Sequence, residues 1–362
     1  MKKILNIISS AKIAVVCLFL LFILTFWGTV AQVQQGLYAA QERFFHSLFF
    51  LAGGFLPFPG AQLILCVLFV NLLAATIVHF SKLRHWRYAG LKLTHAGLLL
   101  YFAAAYVTFH VTEESNLHLA EGQASNLSSS YQEWELAYWR DEGNTRQVTA
   151  IDAKGFKSGF IVPFNNPQLN ITIEQFYPNS AAFTKALPAD GIKPLNASGI
   201  TLLQPKDIDK EREKNVAGVV LSVNSKRVLL YGAESRPTEI AGYYLSLRHK
   251  KYVLPFTIQL KDFKVEFYPG TQTAKSYESM VTVIKANASR EVRIFMNNPM
   301  RDKAYAFYQA SYAINADGRE YSTLAVVKNA GHLLPYIACF VVFFGLVAHF
   351  LIMAFIGRGK NV

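Results

Sequence analysis

Four uninterrupted apolar runs, each near the roughly 20 residues that a helix needs to cross a bilayer, constrain this chain more than any other feature. They are Ile13 to Ala31, Ala61 to Phe80, Leu91 to Phe109 and His332 to Ile356. Backbone in lipid must satisfy its own N–H and C=O groups, so each run reads as a helix. The expected fold is an integral membrane protein with four transmembrane α-helices, three N-terminal and one C-terminal, around a large all-β extracytoplasmic domain. The expected regions are 1–110 with helices at about 13–31, 61–80 and 91–109, then the β-rich domain at 111–331, then 332–362 with the last helix and a tail.

Lysine and arginine near the spans set the orientation. Lys2, Lys3 and Lys12 precede the first span. Lys82, Arg84, Arg87 and Lys92 sit between the second and third, and Arg358 and Lys360 follow the fourth. The loop between spans one and two has only Arg43, beside Glu42. With both termini in the cytoplasm, every basic cluster falls on one side. Residues 111–331 then lie outside a cytoplasmic membrane, in a periplasm or its equivalent. The first run has a basic start and small residues at Thr29 to Ala31, but its core is long and no clean A-x-A site follows, so it reads as an uncleaved anchor.

This topology accounts for much of the net charge of +12. The remaining basic residues are scattered without the aromatic interleaving of a nucleic-acid platform, so no nucleic-acid partner is expected. The three cysteines, Cys17, Cys66 and Cys339, all lie within spans. The β-region must therefore hold itself by its core, without disulfides. With no CxxC and no CxxCH, neither a thiol oxidoreductase nor a c-type cytochrome is indicated.

Within 111–331, "FTIQLKDFKVEFY" alternates with a phase slip at Lys261–Asp262, which predicts a bulge there. The region also resembles itself. "VPFNNPQLNITIEQFYPN" from Val162 lines up with "LPFTIQLKDFKVEFYPG" from Leu254, and "SKRVLLY" from Ser225 with "SREVRIF" from Ser289. Nine residues later come "AGYYLSL" from Ala241 and "YAFYQAS" from Tyr305. Two related β-units are expected, at about 155–250 and 251–327, the first with an insertion around residues 181–199. The charged stretch Gln204 to Asn215 reads as an exposed loop or short helix.

Topology sorts eight of the nine histidines into two layers. His79, His85, His95 and His349 belong to the cytoplasmic side, and His46, His110, His118 and His332 to the outer side. His95 lies roughly 7 Å inside the third span and His349 about 10 Å inside the fourth, at ~1.5 Å per residue. An ionisable side chain at such depth is a functional candidate by default. Phe102 and Tyr106 return to the face of His95 within about 20°. Proton relays usually need carboxylates within the membrane, which these spans lack, and no zinc-ligand spacing occurs. Ligation of haem iron, with the aromatic face against the macrocycle, is the best remaining chemistry. A structural hydrogen bond to a neighbouring helix is the alternative. His349 and His79 are secondary haem-site candidates.

At this point the chain resembles the ResB/CcsB family of system II cytochrome c biogenesis. The resemblance rests on "FWGTVAQ" closing the first span, "LTHAGLLLYFAAAYV" followed by "TEESNLHLAEGQ", the β-region segments "LPFTIQLKDFKVEFYPGT", "SYESMVTV" and "IFMNNPMRDKAYAFYQASY", and "NAGHLLPYIACFVVFFGLVAHFL" at the end. It implies a membrane partner of the CcsA/ResC type and apocytochrome c bearing CxxCH as client. It implies that haem (b-type, transiently bound) moves from the cytoplasm to the outer face, with His95 as an axial ligand. The family's tryptophan-rich motif belongs to the partner, and Trp27, Trp86, Trp134 and Trp139 form no such cluster here. The chain is thus expected to be part of a holocytochrome c synthetase (haem lyase) complex and not a complete enzyme alone. Two rivals stay open: a b-type haem electron-transfer subunit, and a non-haem membrane assembly scaffold.

Overall fold

The computed structural model describes residues 2–82, 86–143, 145–164, 169–185, 193–286, 288–315 and 318–358. Contacts divide the chain into a helical unit, made of Met1–Glu113, Asp302–Tyr305 and Lys328–Val362, and a β unit, Glu114–Arg301 with Ala306–Val327.

In the helical unit, α1 (Lys2–Ile8) precedes α2 (Ala11–Gln35), and α3 (Leu37–Ala40) is a short turn after it. Then come α4 (Ala61–Lys82), α5 (Ala89–Val111) and α6 (Leu334–Arg358). Four of these are long and apolar enough to cross a membrane: Ala11–Gln35, Ala61–Val78, Trp86–Val111 and Leu334–Phe355. Their exposed side chains are largely apolar, among them Phe19, Phe22, Phe26, Phe340, Phe343 and Phe350, as a lipid surround requires. The sequence therefore builds a four-span membrane protein with a β-domain between spans three and four.

Small residues set the packing of α5 on α6. Gly90, Thr94, Gly97 and Ala104 are the buried residues of α5. A Cβ added at Gly90 would lie 2.2 Å from the His349 backbone nitrogen, and one at Gly97 would lie 2.7 Å from Val342. On α6, a Cβ at Gly345 would lie 2.5 Å from the Thr94 backbone nitrogen. Small residues three and four apart let two backbones approach, which is how helices associate when lipid is as apolar as their side chains.

Span two carries a polar misfit of its own. Asn71, in the middle of α4, is buried and donates from Nδ2 to the carbonyls of Ile8 (2.5 Å) and Ser10 (3.0 Å). Ile8 ends α1, where carbonyls lack intrahelical donors, while the Ser10 carbonyl also accepts from the Ile13 amide at the start of α2. Ser10 caps the start of α2 by accepting from the Lys12 amide. The amide in the span thus answers a break in another helix.

The β unit is built on one long sheet. Its path runs Ala288–Phe295, Ala274–Lys285, Tyr243–Phe267, Ala124–Glu142, Glu113–Ala120, Glu320–Lys328, Tyr305–Ile314 and Met300–Asp302. Thr238–Ile240 pairs with the strand Tyr243–Phe267, and Thr145–Asp152 with Ala124–Glu142. A smaller sheet, Lys226–Tyr231, Gly218–Val223 and Ile171–Tyr177, buries one face against the large one. Ile171, Ile173, Val219, Leu221 and Leu230 pack with Trp134, Leu136, Tyr138, Leu245 and Leu247 in one core. Beyond that core, Ser279, Gln309 and Ser322 form a side-chain hydrogen-bond network across three strands. It satisfies two fully buried hydroxyls.

The register slips between Leu260 and Asp262, where the sequence alternation slips. The expected unit boundary at 250/251 falls inside the 25-residue strand Tyr243–Phe267. The three-strand order Ile171–Tyr177, Gly218–Val223, Lys226–Tyr231 is repeated by Tyr243–Phe267, Ala274–Lys285, Ala288–Phe295. Each run leads to a tight hairpin with a left-handed residue at the same place, Ala241 (φ 50°) and Lys303 (φ 51°). The segment expected as an insertion carries a hairpin of Ser180–Phe183 with Leu202–Pro205. In the charged stretch, Arg212–Lys214 forms a single 3-10 turn.

Candidate functional site

His95 is half-buried on α5 and meets α4. Its Nδ1 lies 3.3 Å from Thr76 Oγ1, and that hydroxyl also lies 2.7 Å from the Leu72 carbonyl four residues back. A hydroxyl has one proton, and a carbonyl can only accept. Thr76 therefore donates to Leu72 and accepts from His95. The imidazole is held as the tautomer with N–H at Nδ1 and the lone pair at Nε2. This is an interhelical hydrogen bond, and it is also the arrangement in which an imidazole can ligate a metal through Nε2.

Seven residues further along α5, Phe102 packs against Phe69 of α4, ring centroids 5.7 Å apart. Phe69 is seven residues before Thr76, so the two antiparallel helices meet at matched heptad positions. Tyr106 lies elsewhere. The residue is 67% exposed and its ring lies tilted against His110, centroids 4.1 Å apart, while His110 Nδ1 lies 2.9 Å from the Tyr106 carbonyl.

His349 is half-buried on α6, where its backbone is the neighbour of Gly90. Its Nδ1 is buried and has no hydrogen-bond partner among the described residues. The side chain of His79 lies outside the described residues, as do His85 and the basic side chains Lys82 and Arg84. Of the outer-layer histidines, His332 Nδ1 is 3.1 Å from the Asn329 carbonyl, which ties it to the turn before α6.

The β unit carries a polar cluster that sequence layering only touched through His118. His118 Nδ1 is 2.9 Å from Thr323 Oγ1, Lys251 Nζ donates to Ser129 Oγ at 2.6 Å, and His249 stacks on Trp134 at 4.0 Å. Burial, then the Lys251 charge, holds both imidazoles below their ordinary pKa. Burial, then Arg248, lowers Lys251 in turn, with Glu135 opposing. No signal in the sequence joins these residues, because they come from four separate strands. Among the described residues no group of three His, Cys, Asp or Glu side chains could hold a metal ion.

The sequence profile of the ResB-like family matches residues 218–318. The chain carries a ResB-like region. It runs from the strand Gly218–Val223 through Tyr305–Ile314, so it lies in the β-domain and does not reach His95. Protein NrfI of Wolinella succinogenes is 23% identical over 300 residues, 79% of this chain. The chain spans 29% of that relative's length. Together the two matches bear out the resemblance drawn from the span and β-region motifs.

Proposed function

We propose that this protein is the ResB-type membrane subunit of a cytochrome c biogenesis complex, handling haem between the two faces of a cytoplasmic membrane. The observation that carries the reading is His95: an imidazole within a span, its Nδ1 held at 3.3 Å by Thr76 Oγ1, whose own proton goes to the Leu72 carbonyl. That donor set suits haem iron, which takes one axial imidazole from a protein helix. Phe102 and Phe69 supply an aromatic wall one heptad away. Haem carries the group that is attached to apocytochrome c, and a CcsA/ResC-type partner supplies the second ligand and the attachment site.

In this reading the residues of this chain bind and orient. Thr76 holds the His95 ring, and Gly90, Gly97 and Gly345 keep α6 close enough to fix α5. Arg87 and Lys92, on the same side of the membrane as His95, offer charge to haem propionates. The distribution of Lys3, Lys12, Arg87, Lys92 and Arg358 supports cytoplasmic termini and a periplasmic β-domain.

The test is haem content of the full chain co-purified with its membrane partner, by absorption spectrum, with c-type cytochrome yield alongside. His95→Ala is expected to lose both. His95→Gln retains a donor toward Thr76 but not the imidazole, and is expected to behave as His95→Ala. Full haem content and yield in His95→Gln would overturn the reading and favour the scaffold, in which the Thr76 bond is the whole role of His95.

A further inference from the structure

From Phe44 to Ser81 the sequence has no Lys, Arg, Asp or Glu. Most of this stretch is α4, but ahead of it lies a two-stranded antiparallel hairpin, Phe49–Ala52 with Leu56–Pro59. Gly53 and Gly54, both at positive φ (62° and 84°), make its turn. Alternation divides its side chains between two faces. Phe50 and Phe58 turn inward onto Trp27 of α2, with ring centroids 5.6 and 5.8 Å away, and Phe44 packs on both Trp27 and Phe50. Phe49 and Leu51 point the other way and are exposed, as are Leu56 and the 81%-exposed Phe55 at the tip. Contiguous exposed apolar surface of this kind marks an interaction site.

The edges of the hairpin suit an apolar surround. The Gly60 amide donates to the Leu48 carbonyl at 2.8 Å, and bonded pairs alternate in an antiparallel ladder, so Phe50 and Phe58 form the next bonded pair. The nitrogens on the open edge of the second strand are then those of Pro57 and Pro59, which carry no proton. On the first strand, the Leu51 carbonyl accepts from Arg43 Nη2 at 2.8 Å. That guanidinium lies over the rings of Phe44 and Phe50, 5.5 and 5.6 Å from their centroids. Lipid excludes unpaired donors and open sheet edges. Here proline removes two donors, and the last cation before the uncharged stretch caps an acceptor.

Depth identifies the surround. Trp27 lies eight residues before the end of α2, about 12 Å along the helix, and about 6 Å inside the apolar run that closes at Ala31. The hairpin therefore packs at the level of Phe26 and Val30, which are exposed on α2. Segments that lie in a membrane interface bury their apolar face about 5–10 Å into the headgroup–acyl boundary.

We propose that the hairpin Phe49–Pro59 is an interfacial membrane element, its outward face covered by lipid at the headgroup–acyl boundary of the leaflet away from the N-terminus. Lipid is the occupant because this face continues the lipid-exposed surface of the spans at the same depth and carries no charge for a protein partner to pair. The hairpin then holds the connection between the first two spans at a fixed depth. The inference needs the spans and does not depend on haem.

The experiment is site-directed spin labelling of the full-length protein in phosphatidylcholine nanodiscs, alone and with its membrane partner. Cys17→Ala, Cys66→Ala and Cys339→Ala clear the native thiols. Labels are placed through Phe55→Cys, through Phe22→Cys within the first span, and through Gln132→Cys on the β unit, all exposed positions. Collisions with oxygen, which concentrates in lipid, and with an aqueous nickel chelate report depth. The Phe55→Cys label is expected to favour oxygen in both preparations, at a depth of about 5–10 Å, between the other two labels. Nickel access equal to that of the Gln132→Cys label would put the hairpin in water and overturn the proposal. Loss of both collisions in either preparation would put a second copy or the partner on this face, and overturns it as well. Phe55→Trp in the native chain is a second measure that avoids the label. Phosphatidylcholine brominated high on its acyl chains is expected to quench its added fluorescence more than lipid brominated near the chain ends. Quenching no greater than in the wild type would refute the lipid contact.

Discussion

Replacing Thr76 with valine removes the hydroxyl that holds His95 Nδ1 while leaving the shape of α4 almost unchanged. The hydroxyl proton already belongs to the Leu72 carbonyl, so the oxygen offers His95 only a lone pair, at 3.3 Å. Polar contacts between membrane helices average about 0.6 kcal/mol and reach about 1.7 at most. A contact at the long end of hydrogen-bond geometry belongs in the lower part of that range. The fold should therefore lose less than about 1 kcal/mol. Ligation should suffer more, because orienting partners of metal-bound histidines change affinity by about 10- to 100-fold. With a long bond the low end applies, about tenfold or ~1.4 kcal/mol. Haemin titration and thermal melts of the same preparations separate the two effects. Thr76→Val should bind about tenfold more weakly with an almost unchanged melting temperature, and Thr76→Ser should match the wild type. Equal haemin affinity in Thr76→Val and the wild type would refute the tautomer argument.

Further expectations follow from packing and charge. Gly90→Ala places a methyl against backbone atoms of α6 that cannot rotate away, so α5 and α6 must separate by about 1 Å at a cost of roughly 1–3 kcal/mol. Thermal unfolding in detergent should show that loss, and Gly155→Ala, with nothing within 4 Å and an ordinary φ, should show none. The β unit should weaken on mild acidification. His249 and His118 have folded pKa values below the ordinary 6.5, so the unfolded chain takes up protons first as pH falls. Their contribution is complete above about pH 6.5 and declines as pH falls from there toward the folded pKa values. Melts followed by tryptophan fluorescence should drop between pH 7.5 and 5.5, and His249→Phe should flatten the drop; a pH-independent wild type would contradict the assignment.

The spans were legible because lipid imposes a crude and long-range rule on composition, and Ala11–Gln35 exceeds its expected bounds of 13–31 only by Ala11 and Lys12 at one end and the turn Gln32 to Gln35 at the other. His95 was legible as a misfit in hydrocarbon. Its partner was not, since Thr76 is nineteen residues away on another helix and threonine is ordinary within a span. Asn71 is a polar misfit of the same kind, but its partners, carbonyls at the α1–α2 break, lie on another part of the chain. The hairpin of Phe49–Ala52 with Leu56–Pro59 escaped because its prolines argue against strand and its length lies between turn and span. In the β-domain, alternation located the slip at Leu260/Asp262, but nothing local revealed that the strand continues through residue 250. The reason lies at Pro255. Pairing with Ala124–Glu142 is interrupted between Val253 and Ile258, and pairing with Ala274–Lys285 begins only at Thr257, so the residue without an N–H sits in the irregular stretch of the strand.

The β-domain enters and leaves on adjacent strands, Glu113–Ala120 beside Glu320–Lys328, with Lys328 and Glu113 paired at 3.0 Å. It is therefore an insertion between α5 and α6, and this dictates an assembly schedule. A ribosome finishes α5 long before it starts α6, and the entire insertion must be made in between. Until then Gly90, Thr94 and Gly97 have no α6 backbone to receive, and the third span waits in the membrane with an unfilled groove. Completion of the helix pair that steadies His95 is thus coupled, through the order of synthesis, to completion of the β-domain.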